Sequence, residues 1–214
     1  MPRRPGKREQ NKRANRAAIL EAAQRVFLER GFDAVTIRDV VRQTELASGT
    51  FYNYFDTKEA LLRALVENHV LALTAELKRV RGAARSLDEF VHGAYLAAFT
   101  AIAQDPVLYN LMLRNEAAVR SLYQDAVMGL STRALRDDIR DAIRRGIMPA
   151  LDADYLAAAL FGAGYEMGRI LAERPKKDPA GAAAFATRVF LGGIQAFASD
   201  RLGATLKPRV RATF

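Results

Sequence analysis

Residues 36–58, TIRDVVRQTELASGTFYNYFDTK, constrain the fold of this chain more than any other stretch. Thr36 and Asp39 have the spacing of a capping box, which predicts that a helix begins after Thr36. The apolar residues that follow recur on one helical face, and a turn at residues 43–46 precedes a very short helix at about 47–53. This second helix carries small and polar side chains, so it can lie deep against another surface. The stretch therefore predicts a helix-turn-helix, whose second helix enters the major groove of DNA.

The sequence before this motif predicts a basic arm and a supporting helix. Residues 1–12 hold five cations and one acid, together with two prolines and a glycine. This composition predicts a flexible arm, which either follows the DNA backbone or minor groove or only keeps the chain solvated. Apolar residues at helical spacing between 15 and 30 predict a helix that ends at Gly31. We expect this helix to pack on the apolar side chains of the motif and to hold its second helix rigidly.

The polar side chains of the motif suit two kinds of DNA contact. An Asn side chain pairs best with adenine, and hydroxyl groups serve either base edges or phosphates. The candidate base contacts are Ser48, Thr50 and Asn53. The candidate phosphate contacts, which would set the register on the duplex, are Thr36, Arg38, Gly49 through its backbone N–H, Tyr52, Tyr54 and Lys58. An alternative for the two tyrosines is a place in the core.

The pattern T-x-R-D-V followed by G-T-F-Y-N-Y-F-x-x-K-E-A-L resembles the DNA-binding domain of TetR-type transcriptional regulators, and the resemblance runs from Asn15 to Leu65. It implies an all-helical homodimer with an N-terminal DNA-binding domain and a C-terminal domain that binds a small molecule. The turn departs from the family pattern, because residues 45–47 are Glu-Leu-Ala where the family usually has Gly-Val-Ser. We expect the helix cap to shift onto Ser48.

Caps and breaks divide the rest of the chain into further helices. Ser86 with Glu89 is a capping box, and Asp105-Pro106 is a typical helix start. The predicted helices span residues 58–81, 87–104, 106–123, 125–145, 154–173 and 179–199. The first is long enough to bridge two domains. The expected fold is all-α, with a flexible arm at 1–12, a three-helix DNA-binding domain at 13–60, a helical ligand-binding and dimerisation domain at 61–200 and a basic tail at 201–214.

The last two helices are apolar almost all round and rich in small residues. A helix that is apolar on every face must be buried on every face, and a second copy of the chain is the simplest cover. The TetR-type resemblance implies the same, since the last two long helices of that family form the dimer. The candidate interface residues are Ala157, Phe161, Gly164, Gly168, Phe185, Val189 and Gly192.

A ligand cavity is expected mainly because of the resemblance. Apolar walls with a few polar anchors suit a hydrophobic or amphipathic effector. The candidate lining residues are Phe99, Leu111, Met112, Asn115, Tyr123, Phe161 and Tyr165. The alternative for each of them is that it is an ordinary packed core residue.

Composition excludes several other functions. The formal net charge of +9 favours a polyanionic partner, either nucleic acid or an anionic membrane surface. The chain has no cysteine and two histidines without metal-ligand spacing, so we expect no metal, no cofactor and no enzyme activity. The longest nearly apolar run, residues 155–165, is too short to span a bilayer, and we expect a cytoplasmic protein.

The sequence thus predicts a dimeric, ligand-responsive transcriptional regulator. We expect it to bind a near-palindromic operator on double-stranded DNA and to act as a repressor released by a small molecule. Two alternatives stay open at this stage. One is an architectural DNA-binding protein without a ligand, and the other is a membrane-surface binder that uses the basic arm and amphipathic helices.

Overall fold

The computed structural model describes residues 6–122 and 132–198, and the regular elements in these ranges are all α-helices. The all-α prediction is confirmed. In chain order the helices are α1 (Lys7–Arg30), α2 (Ile37–Val41), α3 (Ser48–Phe51), α4 (Lys58–Ala83), α5 (Leu87–Gln104), α6 (Pro106–Arg114), α7 (Glu116–Leu122), α8 (Thr132–Arg144), α9 (Ala153–Glu173) and α10 (Pro179–Ala198). Of the described residues, 6–72 and 105–122 form one compact unit, and 73–104 and 132–198 form a second.

Local capping signals place most helix ends where the sequence predicts them. Thr36 and Asp39 form the predicted capping box of α2. Gly31 ends α1 with a positive φ of 79°, a conformation that costs glycine little. The carboxylate of Asp105 accepts the N–H of Leu108 at the start of α6, directly before Pro106. These ends were predictable because each depends on residues within a few positions of one another.

The first unit is built on an aromatic core. Phe27 of α1 and Phe51 of α3 are completely buried, and Val40 of α2 lies in the same core. Phe27 packs against Phe32 with ring centroids 5.5 Å apart, and Phe51 packs against Phe55 at 6.3 Å. The side chains that hold α3 in place therefore come from both its own helix and the segment that follows it.

Helix α1 begins earlier than the sequence predicts. Residues 7–12, which we assigned to a flexible arm, are helical, and the backbone N–H groups of Glu9 and Gln10 donate to the carbonyl of Gly6. The helix can extend because its later turns are anchored in the core from Ile19 onwards, and adding turns to an existing helix avoids the cost of nucleation. The rest of the predicted arm, residues 1–5, lies outside the described residues.

The region of α6 differs from the sequence predictions in two respects. The predicted single helix 106–123 is broken at Asn115, whose backbone leaves the helical region at φ −117° and ψ 31°. The segment 105–122 also belongs to the first compact unit, whereas the sequence predicts it within the domain at 61–200. The reason is a contact between distant residues: the Asn115 side chain binds the backbone of Phe32, and α6 packs on α1.

The second unit is organised around α5, which packs against α9 and α10. Tyr95 of α5 is buried and donates its hydroxyl proton to the carbonyl of Leu160 at 2.9 Å. The Tyr95 ring stacks on Phe99 and on Phe190 of α10. Burial raises the pKa of the Tyr95 phenol. The predicted helix 125–145 is described from Thr132, and the predicted basic tail lies outside the described residues.

Candidate nucleic-acid interface

The short helix α3 is held by its aromatic residues and exposes the others. Phe51 is completely buried, and Phe55 is 6% exposed. Tyr52 packs edge-on against Phe51, with centroids 5.5 Å apart, yet its side chain is 55% exposed. Tyr52 is therefore partly a packing residue and partly available to a partner, which combines the two interpretations left open by the sequence.

The exposed side of α3 carries the predicted base-contacting chemistry. Gly49 and Asn53 are exposed, and Thr50 is half-buried. A side chain added at Gly49 would meet nothing within 4 Å, so the backbone there is open to close approach. This surface presents an amide, a hydroxyl and bare backbone, which are the groups that read base edges and grip phosphates. Contacts at these positions stay predictions.

The start of α3 differs from our expectation. The N-cap residue is Ala47 rather than Ser48, and the methyl side chain of Ala47 makes no capping hydrogen bond. The carbonyl of Ala47 accepts the N–H of Thr50 at 2.8 Å, so the first helical bond forms one residue earlier than predicted. The preceding turn is held by Thr44, whose hydroxyl donates to the carbonyl of Val41 at 2.8 Å and accepts the N–H of Leu46 at 3.3 Å.

A local hydrogen-bond network fixes α2. The Thr36 hydroxyl donates to the Asp39 carboxylate at 2.7 Å, and the same carboxylate accepts the Thr36 N–H at 2.9 Å. Arg30 of α1 forms an ion pair with Asp39 at 3.2 Å. The bonds from Thr36 and this ion pair lower the pKa of Asp39 to about 2. Thr36 thus has a capping role besides its predicted phosphate contact, while Arg38 is exposed.

Lys58 occupies a different position from the one its predicted role suggests. Its ammonium group donates to the carbonyl of Phe32 at 3.0 Å and to the carbonyl of Val35 at 3.3 Å. It also lies 4.4 Å from the centroid of the Phe32 ring, within the range of a cation–π interaction. In this geometry Lys58 ties the start of α4 to the turn between α1 and α2, and a phosphate contact from it stays a prediction.

Tyr54 links the end of the motif to α1. Its hydroxyl oxygen accepts a hydrogen bond from the side-chain amide of Asn15 at 3.2 Å. An open groove of about 830 Å³ lies beside this contact, lined by Gly6, Arg8, Glu9, Asn11, Lys12, Asn15, Asn53 and Tyr54. The sequence predicts backbone contacts from residues 1–12 as a flexible arm, but not a helical face that continues to Asn15. The signal for this face is the spacing of residues 8, 11, 12 and 15, which places all four on one side of a helix.

The predicted ligand residues are divided between the two units. Leu111 and Met112 are completely buried in the first, where both polar ends of Asn115 are engaged. Phe99 is completely buried in the second, where Phe161 and Tyr165 stack with centroids 6.4 Å apart. Tyr123 lies outside the described residues. The engagement of Asn115 gives it a structural role that the sequence did not predict.

The predicted dimer residues fall into two groups. Ala157 and Gly168 are buried within their own chain, and a side chain added at Gly164 would come within 3.1 Å of the Tyr95 ring. Neighbours in the same chain thus bury Ala157 and Gly168, while Gly164 beside Tyr95 is half-buried. Contacts of these three residues with a partner stay a prediction. Phe161 is half-buried. Phe185 and Val189 are 64% and 56% exposed, and Gly192 is exposed beside them on α10.

Two features of the described residues concern metal binding and membranes. In the described residues no group of three or more His, Cys, Asp or Glu side chains is placed to hold a metal ion. Across residues 6–122 and 132–198, no single helix has the length and hydrophobicity to cross a bilayer, and only the bent pair α5 and α6 reaches that hydrophobicity when taken together.

Known proteins match this chain over different lengths of its sequence. Residues 19–65 match the family of bacterial regulatory proteins described as the tetR family. The uncharacterised HTH-type transcriptional regulator YvdT of Bacillus subtilis is 40% identical over 72 residues, which cover 34% of this chain and 36% of that protein. The HTH-type transcriptional regulator UidR of Escherichia coli is 26% identical over 185 residues, covering 84% and 92% of the two chains.

A third relative matches in both sequence and fold. The HTH-type transcriptional repressor KstR2 of Mycobacterium tuberculosis is 30% identical over 89 residues, which cover 42% of this chain and 44% of that protein. The solved structure of the ketosteroid transcriptional regulator KstR2 superposes with a TM-score of 0.64 at 22% identity, covering 84% of this chain and 94% of that chain. At that identity the superposition speaks for the fold.

Proposed function

Because the chain belongs to the tetR family of bacterial regulatory proteins by its DNA-binding domain and its fold, we propose that it is a sequence-specific repressor released from DNA by a small molecule. Family membership makes it a DNA-binding transcriptional regulator. KstR2, which it matches over 89 residues, is a transcriptional repressor, and this supports the sign of the regulation.

The observation that carries the proposal is the contrast between the two sides of α3. Phe51 is completely buried and Phe55 is nearly so, which gives α3 a fixed orientation. Gly49 and Asn53 are exposed on the other side. A rigid short helix with an amide and open backbone outward can enter the major groove without rearranging, and Asn53 can pair with an adenine through its two polar atoms.

The exposed face of α10 supports a homodimer. Phe185, Val189 and Gly192 are spaced at i, i+4 and i+7, so they form one stripe, and Tyr155 of α9 is 79% exposed. Large apolar side chains exposed together mark an interaction site, and a second copy would bury the same stripe on both protomers. Two recognition helices related by a two-fold axis would read a near-palindromic operator.

Release by an effector requires two states that bind it with different affinity. We propose a hydrophobic or amphipathic effector, since the predicted lining residues are mostly aromatic and aliphatic. The half-buried pair of Phe161 and Tyr165 provides stacked rings in the second unit. Ligands that stabilise the protein to heat would be tested, at saturation, for release of a fluorescently labelled operator. An operator that stays bound with every such ligand would contradict this part of the proposal.

The dimer is tested by a charge on the α10 stripe. We expect Phe185→Glu to give monomers in light scattering. Operator binding should weaken steeply, because each monomer then binds its half-site without the contacts of a partner. Leu71→Glu is the matched control, since Leu71 on α4 is equally apolar and 59% exposed. Dissociation by both variants, or by neither, would argue against the stripe as the interface.

The function is tested by selecting bound sequences from a random duplex pool with the purified protein. We expect a near-palindrome. Asn53→Ala should relax the preference at one position of each half-site, because it removes about 1–3 kcal/mol of discrimination between the preferred base and the others. Recovery of no motif, with binding that disappears as salt rises, would instead favour an architectural DNA-binding protein.

A further inference from the structure

We infer that the first turns of α1 form a second DNA-contacting element, whose groove beside α3 takes the sugar–phosphate backbone of the duplex. The inference rests on the proposed function, because the same duplex must occupy both α3 and the groove. It adds a specific surface that the helix-turn-helix does not contain. It also gives a helical face to residues 7–12, which the sequence assigns to a flexible arm.

The N-terminal half of α1 is a helix without a core to cover. The helix begins at Lys7, but its first buried residue is Ile19. Between residues 7 and 16 the sequence holds five cations and one acid. These turns extend a helix that is anchored from Ile19 onwards, so their cationic side chains cover no core and stay exposed to a partner.

The cations and amides of this segment face the recognition helix along one line. Arg8, Asn11, Lys12 and Asn15 are spaced at i, i+3, i+4 and i+7, which places them on one face of α1. These four residues line one side of the groove of about 830 Å³, and Asn53 and Tyr54 line the other. A strand of phosphates entering this groove would meet donors on both sides.

Two neighbouring contacts hold the groove in shape. Asn15 donates to the Tyr54 hydroxyl at 3.2 Å. One residue along each segment, the Arg16 guanidinium lies 5.2 Å from the centroid of the Phe55 ring. Phe55 is part of the core that anchors α3, so α1 and the end of α3 are fixed relative to each other. A preorganised groove loses little conformational freedom when a backbone binds in it.

The charges of the groove suit an anion. Arg8 and Lys12 are exposed and have no ion-pair partner among residues 6–122 and 132–198. The single acid, Glu9, is neutralised by Arg13 at 3.3 Å, and Arg13 does not line the groove. The Tyr54 oxygen accepts from Asn15 and keeps its own proton to donate. The groove therefore offers two free cations and a phenolic donor to phosphate oxygens.

The test is the salt dependence of DNA binding. Affinity would be measured between about 50 and 200 mM salt for the full chain on its selected operator and on a scrambled duplex. The variants are Lys12→Ala, Arg8→Ala, their double variant, and Lys12→Arg, which keeps the charge. Arg25→Ala is the matched control, because it removes one exposed charge from the same helix, 13 residues and about 20 Å from Lys12.

The slope of log affinity against log salt is negative, and we expect Lys12→Ala to reduce its magnitude by about 2, since each of two protomers loses one phosphate contact worth about 0.9. The loss should be equal on both duplexes, and Lys12→Arg should restore the slope. Phosphate ethylation should interfere with wild-type binding at backbone positions that no longer matter to the double variant. Slopes that are unchanged in the double variant, or lowered equally by Arg25→Ala, would overturn the inference.

The same experiment separates this inference from the proposed function. If the wild type binds operator and scrambled duplex equally, the proposed sequence-specific function fails, whatever the groove contributes. If the wild type prefers its operator but the groove variants keep its salt slope and its ethylation pattern, only the inference about the groove fails. All the substituted side chains are exposed, and circular dichroism would verify that each variant keeps the helical fold.

Discussion

The side-chain oxygen of Asn115 accepts the backbone N–H of Phe32 at 2.6 Å, across 83 positions of the sequence. The side-chain nitrogen of Asn115 donates to the carbonyl of Leu111 at 2.7 Å, and Asn115 is only 4% exposed. The carbonyl of Phe32 accepts a hydrogen bond from the ammonium group of Lys58. The turn that leads into the helix-turn-helix is thus bound by the side chain of the residue after α6 and by that of the first residue of α4.

We expect Asn115→Leu to lower the free energy of unfolding by about 1–3 kcal/mol, because it leaves the buried N–H of Phe32 without an acceptor. The carbonyl of Leu111 keeps the backbone N–H of residue 115, so the cost lies at Phe32. Urea denaturation would measure it. Asn110→Leu, at an exposed position of α6, is the control and should change stability by no more than about 0.5 kcal/mol. Equal costs at the two positions would show that the hydrogen bond to Phe32 is not what matters.

Lys58→Met should separate a structural role of this lysine from a phosphate contact. The substitution keeps the aliphatic stem near Phe32 but removes the donor to two carbonyls, so we expect a loss of about 1–2 kcal/mol in unfolding free energy. DNA affinity should then fall with no change in its salt slope. A slope lowered by about 2 per dimer, with stability intact, would instead establish Lys58 as a phosphate ligand.

The ion pair between Arg81 and Asp138 should stabilise the second unit only as an intact pair. The two groups are 2.8 Å apart, and their side chains are 8% and 26% exposed. Burial lowers the pKa of Arg81 and raises that of Asp138, while each partner opposes the shift of the other. We expect Asp138→Asn to lower the free energy of unfolding by about 2–3 kcal/mol, measured by heat or urea. This is less than for fully buried pairs, because the Asp138 side chain is partly exposed to solvent.

Glu76→Gln is the control for that pair. It breaks the exposed pair of Glu76 with Arg79, whose side chains are 44% and 65% exposed. Exposed pairs contribute little, so we expect the unfolding free energy of this variant to stay close to that of the wild type. Similar losses from both substitutions would mean that burial of Arg81 does not set the cost.

His69 should make the folded state sensitive to mild acid. Burial lowers the pKa of His69 below its usual value of 6.5, and the nearby Asp105 carboxylate acts in the opposite direction. In the residues that the structure describes, its buried Nε2 has no hydrogen-bond partner. The folded state therefore takes up fewer protons than the unfolded chain, so its stability is full above pH 6.5 and declines as the pH falls through that value.

The measurement is urea denaturation of the wild type and of His69→Leu at several pH values between about 8 and 5. We expect the wild type to lose more stability than the variant over this interval, because the variant has no group to protonate at that site. Parallel losses in the two proteins would assign the acid sensitivity to other groups. The difference between them at pH 8 measures the packing change alone.

The main departures from the sequence predictions have two causes. Gly164 and Ala157 were expected at the dimer interface because α9 is apolar almost all round, yet they face the chain's own core. Periodicity shows that a helix has several apolar faces, but it does not say which neighbour covers each one. The helical start of α1 was missed because its polar turns continue a helix whose anchor begins at Ile19.

What the sequence determined by itself was local. The capping box of Thr36 and Asp39, the Asp-Pro start of α6 and the glycine end of α1 each act within a few residues, so their signals can be read in order along the chain. The tertiary structure alone decided that Asn115 binds Phe32 and that Asn15 meets Tyr54. Such contacts join residues far apart in sequence, and many partners are equally compatible with their side-chain chemistry. Only the packing of the core selects one partner, since it brings particular polar atoms within hydrogen-bonding distance and leaves the others apart.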